Sequence, residues 1–129
     1  MPAITPNQGR QFAGEKVYKT DNLELLLYTG PTSPTSATVY GDITEVSGFG
    51  YSRATLAAGS WTVNADGTVS FAQQSFTPSG GEWTGVRGYA IVTTEGTPRI
   101  LHIEQGPGAP YTVADGQPFL VTPNSVVTD

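Results

Sequence analysis

Glycine and proline interrupt this chain so often that only one stretch longer than ten residues, 15–29, is free of both. The 129 residues contain 16 glycines and 10 prolines, and charged residues make up only 13%. No stretch carries apolar residues at the i, i+3, i+4, i+7 spacing of a helix without such an interruption. Threonine, serine and valine, which suit strands better than helices, fill much of the remainder. The composition therefore predicts an all-β protein.

Between these interruptions, apolar and polar residues alternate in short runs, as expected for strands with one buried face. The first run covers residues 23–29, where Leu23, Leu25 and Leu27 fall on one face. We expect that face to point into the core. About eight such runs, with turn signals between them, predict a single β-sandwich, either jelly-roll-like or immunoglobulin-like.

The longest run, residues 83–94, contains Gly85 and Gly88, which predict a bulge or a close approach of two backbones. The alternating runs of apolar and polar residues end near Pro123. We therefore predict a sandwich domain over residues 20–123 and a C-terminal tail over residues 124–129.

Residues 1–19 show neither helical nor strand periodicity and are predicted to form an extended N-terminal arm. The arm carries a net charge of +2, whereas residues 20–129 carry −7. The alternatives are a frayed terminus and an ordered arm that grips a partner or clasps the domain. Apolar residues that a purely solvated tail would seldom carry favour the ordered arm; they are Ile4, Phe12, Val17 and Tyr18.

Charge and cysteine content exclude several classes of partner and site. The net charge of −5 argues against nucleic acid and anionic membranes, which need clustered positive charge. Without cysteine the chain can form neither a disulfide framework nor a thiolate metal site. No apolar run approaches the roughly 20 residues that span a bilayer, so we expect a soluble protein. We also expect neither a cofactor nor a metal.

The pair His102 and Glu104 is the only histidine–carboxylate arrangement at strand spacing, with both side chains on one face. Such a pair could orient a general base, which would make the protein a hydrolase. No serine stands in a Gly-x-Ser-x-Gly elbow to serve as its nucleophile. A single histidine on a strand more often belongs to a surface or an interface, so no catalytic residue is predicted.

The run from Gly48 to Leu56, followed by Trp61, places aromatic residues between glycines. We predict a loop that docks its rings on one end of the sandwich, with Tyr51 and Trp61 as its scaffold. If Phe49 were exposed, it would instead be an interface anchor.

A carbohydrate-stacking platform is a further interpretation of the aromatic residues. Its rings would be Tyr51, Trp61, Trp83 and Tyr89. No cluster of Asp, Asn and Gln accompanies them, and such rings commonly fill sandwich cores, so we favour a role in packing.

Several phrases, in this order, resemble a family of small structural proteins of tailed-bacteriophage virions. They are LELLLYT at residues 23–29 followed by a Pro-rich loop, ITEV at 43–46 leading into GFGY at 48–51 and Trp61, VRGYAIVTT at 86–94, ILHIE at 100–104 and the closing VADG and LVTP at 113–116 and 120–123. The resemblance implies a non-enzymatic part of the particle, a capsid cement or decoration protein on the capsid exterior, assembled in the host cytoplasm. Its partners would be the major capsid protein and further copies of itself, as a dimer or trimer.

On this hypothesis the basic arm and the aromatic loop contact the shell, since the arm's positive charge would be steered toward an acidic surface. The predicted interface residues are Ile4, Arg10, Phe12, Lys16, Tyr18 and Phe49. The alternative function is a tail adaptor, or a receptor-binding domain of a fibre or baseplate that contacts glycans.

Overall fold

The computed structural model describes residues 6–126, which form one α-helix and twelve short strands. The helix is α1 (Asn7–Tyr18). The strands are β1 (Leu23–Gly30), β2 (Thr44–Glu45), β3 (Ala54–Leu56), β4 (Thr62–Val63), β5 (Thr68–Ser70), β6 (Gln74–Phe76), β7 (Trp83–Val86), β8 (Gly88–Val92), β9 (Ile100–Gln105), β10 (Tyr111–Val113), β11 (Phe119–Val121) and β12 (Asn124–Val126). The prediction of a mainly β protein is confirmed.

The largest sheet has the strand order β2-β1-β8-β9, and β3 also pairs with β1. Strand β1 is eight residues long, so its first half pairs with β3 and its last residues pair with β2. Its other edge pairs with β8, from Glu24 opposite Val92 to Tyr28 opposite Gly88. The remaining strands form a three-stranded sheet, β12-β5-β4, and two ribbons, β10-β7 and β11-β6. All of these pairings are antiparallel.

Both faces of the central strands β1 and β8 are buried. The face that carries Leu23, Leu25 and Leu27 points into the main core, as predicted. The opposite face of the same strands forms a second, smaller core, which the alternation did not predict. This core consists of Leu26, Tyr28, Ala90 and Val92, with Tyr40, Ile43, Ile100 and Ile103 packed against it.

The predicted long strand over residues 83–94 is divided at Arg87 into β7 and β8. At Gly88 the backbone of β9 comes so close that a Cβ would collide with the carbonyl oxygen of Glu104. The predicted close backbone approach is therefore confirmed at Gly88, since only glycine leaves room for the neighbouring strand.

The extended arm is a correction, because residues 7–18 are helical. Helix α1 contains two glycines, which disfavour helix locally. The helix is instead stabilised by its packing on the sheet. At Gly14 a Cβ would lie 3.2 Å from Val63 and 3.3 Å from Val69, so the absence of a side chain lets the helix lie directly on β4 and β5. Tertiary contact overrides the weak local preference here.

The C-terminal tail is a second correction. Residues Asn124–Val126 form β12, which pairs with β5 from Asn124 opposite Ser70 to Val126 opposite Thr68. Asparagine and serine gave this segment a loop-like composition, but its backbone groups complete the edge of the three-stranded sheet. The folded domain therefore extends beyond the predicted limit at Pro123.

Candidate interaction surfaces

The outer face of α1 carries an exposed aromatic ring beside a positive charge. Phe12 is 62% exposed, the most exposed large apolar side chain among residues 6–125. The Nζ atom of Lys16, one helical turn further on, lies 5.5 Å from the centroid of the Phe12 ring. This distance is within the range of a cation–π contact. We call Phe12 and Lys16 the helix patch.

The inner face of α1 is part of the core. Tyr18 is only 3% exposed, and its ring centroid lies 4.8 Å from that of Trp61, which in turn packs on Phe71 at 5.1 Å. Burial raises the pKa of the Tyr18 hydroxyl, and a hydrogen bond with Ser125 partly offsets this. Tyr18 therefore joins the N-terminal helix to the sheet, and its assignment to a partner surface is corrected.

The six predicted interface residues are thus only partly brought together. Phe12 and Lys16 share the outer face of α1, whereas Tyr18 is turned inward. Arg10 is half-buried where α1 crosses the turn at Gly67, so close that a Cβ at Gly67 would collide with it. Ile4 lies outside the described residues. Phe49 belongs to a separate surface.

Phe49 stands at the tip of a loop in which three successive residues have positive φ. The values are 80° for Gly48, 49° for Phe49 and 78° for Gly50. For a residue with a side chain this left-handed conformation costs about 1–2 kcal/mol. Phe49 is nevertheless 52% exposed, with the rest of its ring against the backbone of Gly81. The chain thus holds an aromatic ring at the surface in a strained conformation.

Hydrogen bonds to the loop backbone hold Phe49 in this position. The amide of Ser79 donates to the Phe49 carbonyl at 2.8 Å, and the Trp83 indole N–H donates to the Gly48 carbonyl at 3.0 Å. A ring on a backbone fixed in this way loses little conformational freedom on binding, which favours affinity. Phe49 therefore has the exposure and rigidity expected of an interface anchor.

Behind this loop, Tyr51 and Arg53 form a polar network with two carboxylates. The Tyr51 hydroxyl donates to Glu45 Oε2 at 2.6 Å and accepts from the amide of Leu27 at 3.0 Å. Arg53 binds both oxygens of Glu45, at 2.9 and 2.8 Å, and reaches Glu24 at 3.1 Å. Burial of the Tyr51 hydroxyl and its hydrogen bond to the Glu45 carboxylate raise the pKa of Tyr51 well above its usual range.

Tyr51 and Trp61, predicted as one scaffold, belong to two aromatic groups. Tyr51 packs edge-on against Trp83 at 5.6 Å and stacks with Phe76 at 6.3 Å, whereas Trp61 packs with Tyr18 and Phe71. Each group supports one candidate surface, since Tyr51 lies behind Phe49 and Trp61 lies under α1.

The network around Arg53 was not predicted from the sequence. A signal was present, because Arg53 is the only basic residue between Lys19 and Arg87, and Glu24 and Glu45 lie in the same acidic segment. Pairing across β1, β2 and the loop before β3 depends on the sheet register, which alternation does not specify.

His102 and Glu104 share one face of β9, as their spacing predicted. His102 Nε2 lies 3.5 Å from Glu104 Oε1 and 3.4 Å from the hydroxyl of Tyr89. Burial and the Glu104 carboxylate raise the pKa of Tyr89 to about 12. The cluster joins β9 to β8.

Three of the four rings considered for glycan stacking are buried. Trp61 is 2% exposed, Trp83 is 3% and Tyr89 is 7%. A sugar ring stacks on an accessible aromatic face, so these three residues act in packing. Tyr51 is half-buried, and its ring faces are taken up by Trp83 and Phe76.

Residues 6–126 contain no group of three or more His, Asp or Glu side chains that could hold a metal ion. In the same part of the chain, no helix has the length and apolar character needed to cross a bilayer.

No family model, curated protein or solved structure matches this chain. The resemblance to phage virion proteins therefore stays a prediction.

Proposed function

We propose that this chain is a non-enzymatic structural protein of a tailed-phage virion, a cement protein that binds the outside of the capsid shell and ties neighbouring capsomers together. The order of sequence phrases that resembles such proteins supports this function. We also propose that the strands build a single sandwich of jelly-roll-like or immunoglobulin-like type, with α1 packed on one side.

The observation that carries the proposal is the helix patch. Phe12 is 62% exposed, and the Lys16 ammonium lies 5.5 Å from the centroid of its ring. An exposed aromatic ring beside a cation is typical of residues that dominate protein interfaces, and it suits an acidic partner surface with an apolar pocket. The helix is held by its inner face, so the outer face is available for binding.

A cement protein needs a second contact in order to connect two neighbours, and Phe49 meets this need. The helix patch lies on the element that packs against β4 and β5, whereas Phe49 packs at Ser79 and Gly81. The two anchors therefore lie on different parts of the domain. The negative charge of residues 20–129 would discourage adhesion to DNA and to other particles.

The proposal is tested by measuring binding of the Phe12→Ser variant to purified phage shells assembled without this chain. Truncating an interface anchor typically costs 2 kcal/mol or more, so we expect at least about a tenfold loss of affinity in a sedimentation assay. Shells carrying the variant should also lose the heat resistance that the native chain confers. Val39→Ser is the matched control, because Val39 is similarly exposed, at 59%, and precedes Tyr40, which packs on the second core.

Equal binding by native chain and Phe12→Ser variant would contradict the role of the helix patch. Absence of any binding of the native chain to shells would contradict the cement function itself. Copy number gives an independent measurement: hundreds of copies per particle agree with a cement protein, whereas a dozen or fewer would assign the chain to the tail.

A further inference from the structure

Strand β9 is an edge strand of unusual length for this molecule. It contains six residues, Ile100 to Gln105, and pairs on one side with β8. Every other strand at a sheet edge within residues 6–126 has four residues or fewer. Very short edge strands are a common protection against pairing with other chains, and β9 lacks this protection. Its side chains Ile100, Leu101 and Ile103 are only half-buried.

The hydrogen-bond pattern shows which backbone groups of β9 point outward. The amide of Gly106 donates to the carbonyl of Arg87 at 2.9 Å, so Gly106 faces β8. The register with β8 is regular from Gln105 to His102. Since bonding alternates along an antiparallel strand, Glu104 and His102 also face β8. The amide and carbonyl groups of Ile103 and Gln105 therefore point away from β8 and make no pairing within the sheet.

We propose that β9 pairs with β9 of a second copy of this chain, antiparallel, about a two-fold axis through Ile103. A two-fold axis makes the interface self-complementary, and the added strand continues the central sheet into the second molecule. This deepens the proposed function, because the paired unit would present two helix patches to the shell. The pairing itself is a property of the isolated chain.

Charge selects this register among those that the backbone allows. With the axis at Ile103, His102 of each copy stands opposite Glu104 of the other copy in the strand pairing. The two Ile103 residues then stand opposite each other. Moving the axis to His102 would place the two histidines opposite each other and Ile100 opposite Glu104. Moving it to Glu104 would place two carboxylates opposite each other, which destabilises a cross-strand pair. Only the first register combines an apolar pair with complementary polar pairs.

The absence of cysteine makes the register directly measurable. In the proposed dimer the two Ile103 Cα atoms would lie about 5.5 Å apart, as in a hydrogen-bonded pair, which is within disulfide range. We expect Ile103→Cys to cross-link into a covalent dimer under mild oxidation. Thr112→Cys, an exposed position on β10, is the matched control and should stay largely monomeric. Equal cross-linking of both variants would overturn the assigned interface, and preferential cross-linking of His102→Cys would overturn the register.

Variants without cysteine test the same contact reversibly. The native chain should show a concentration-dependent dimer in analytical ultracentrifugation. His102→Glu would place like charges opposite each other and should weaken association at least about tenfold, and adding Glu104→Lys should restore it. Thr112→Glu adds the same charge elsewhere and should leave the dimer unchanged. A native chain that stays monomeric at high concentration would overturn the inference, while shell binding, measured separately, would still decide the proposed function.

Discussion

Single residues in this chain take opposite roles according to what surrounds them. Arg53 and Arg99 both contact glutamates, but Arg53 is 24% exposed and bridges Glu45 and Glu24, whereas Arg99 is 75% exposed and pairs with Glu95 within one turn. Three strands meet at Arg53, since Glu24 lies on β1, Glu45 on β2, and Arg53 just before β3. The hydrogen bonds that Arg53 donates to its partners, above all to Glu45, raise the pKa of its guanidinium further above its usual range.

Replacing Arg53 with lysine should therefore destabilise the protein. A lysine ammonium cannot bind both oxygens of Glu45 and reach Glu24 at the same time. We expect the free energy of unfolding to fall by about 1–3 kcal/mol, because two half-buried carboxylates lose part of their pairing. Denaturant unfolding measures this loss, with Arg99→Lys as the control that should leave stability unchanged. Equal effects of both substitutions would contradict a structural role for the network.

At the scale of elements, the most informative contact is that between α1 and the turn before β5. Gly67 has φ of 90°, and any Cβ there would collide with Arg10. The backbone of the helix and that of the turn therefore touch directly. This contact and the packing of Gly14 against β4 and β5 stabilise a helix in a segment of weak helical preference.

Gly67→Ala should loosen α1 from the sheet. Two costs add, since alanine is strained at positive φ and its Cβ would push against Arg10, so we expect a loss of about 2–4 kcal/mol in stability. Gly116→Ala is the matched control, because Gly116 also has positive φ, at 80°, and its Cβ would meet open space. Denaturant unfolding compares the two, and circular dichroism reports the helix. Equal losses would mean that the docking contact adds nothing to the backbone strain.

Both cores of the molecule contain buried tyrosines, and for this reason we expect its stability to fall at alkaline pH. Burial is the largest cause of a raised hydroxyl pKa at Tyr18, Tyr28, Tyr51 and Tyr89. The unfolded chain loses these protons near pH 10, while the folded chain retains them. The folded state therefore binds more protons above about pH 10, and its stability must fall as pH rises further.

We expect the free energy of unfolding to be level from about pH 8 to 9.5 and to decrease steeply between about pH 10 and 12. For Tyr89, with a pKa of about 12, the loss should be complete only above that value. Denaturant unfolding across this range measures the slope, and near-ultraviolet absorbance counts the phenolates formed. Tyr89→Phe should make the slope shallower. A stability that did not change between pH 10 and 12 would contradict burial of these hydroxyls.

The amino-acid sequence by itself determined the local preferences of this chain. Gly and Pro spacing predicted the mainly β class, alternation predicted the core-facing leucines of β1, and two-residue spacing predicted the shared face of His102 and Glu104. Tertiary structure alone decided the rest: helix α1, strand β12, the second buried face of β1 and β8, and the network around Arg53. The physical reason is that alternation and turn residues act within a few positions along the chain. Whether a second face is covered, or a glycine-containing segment gains enough contact to form a helix, depends on distant segments that pack against it.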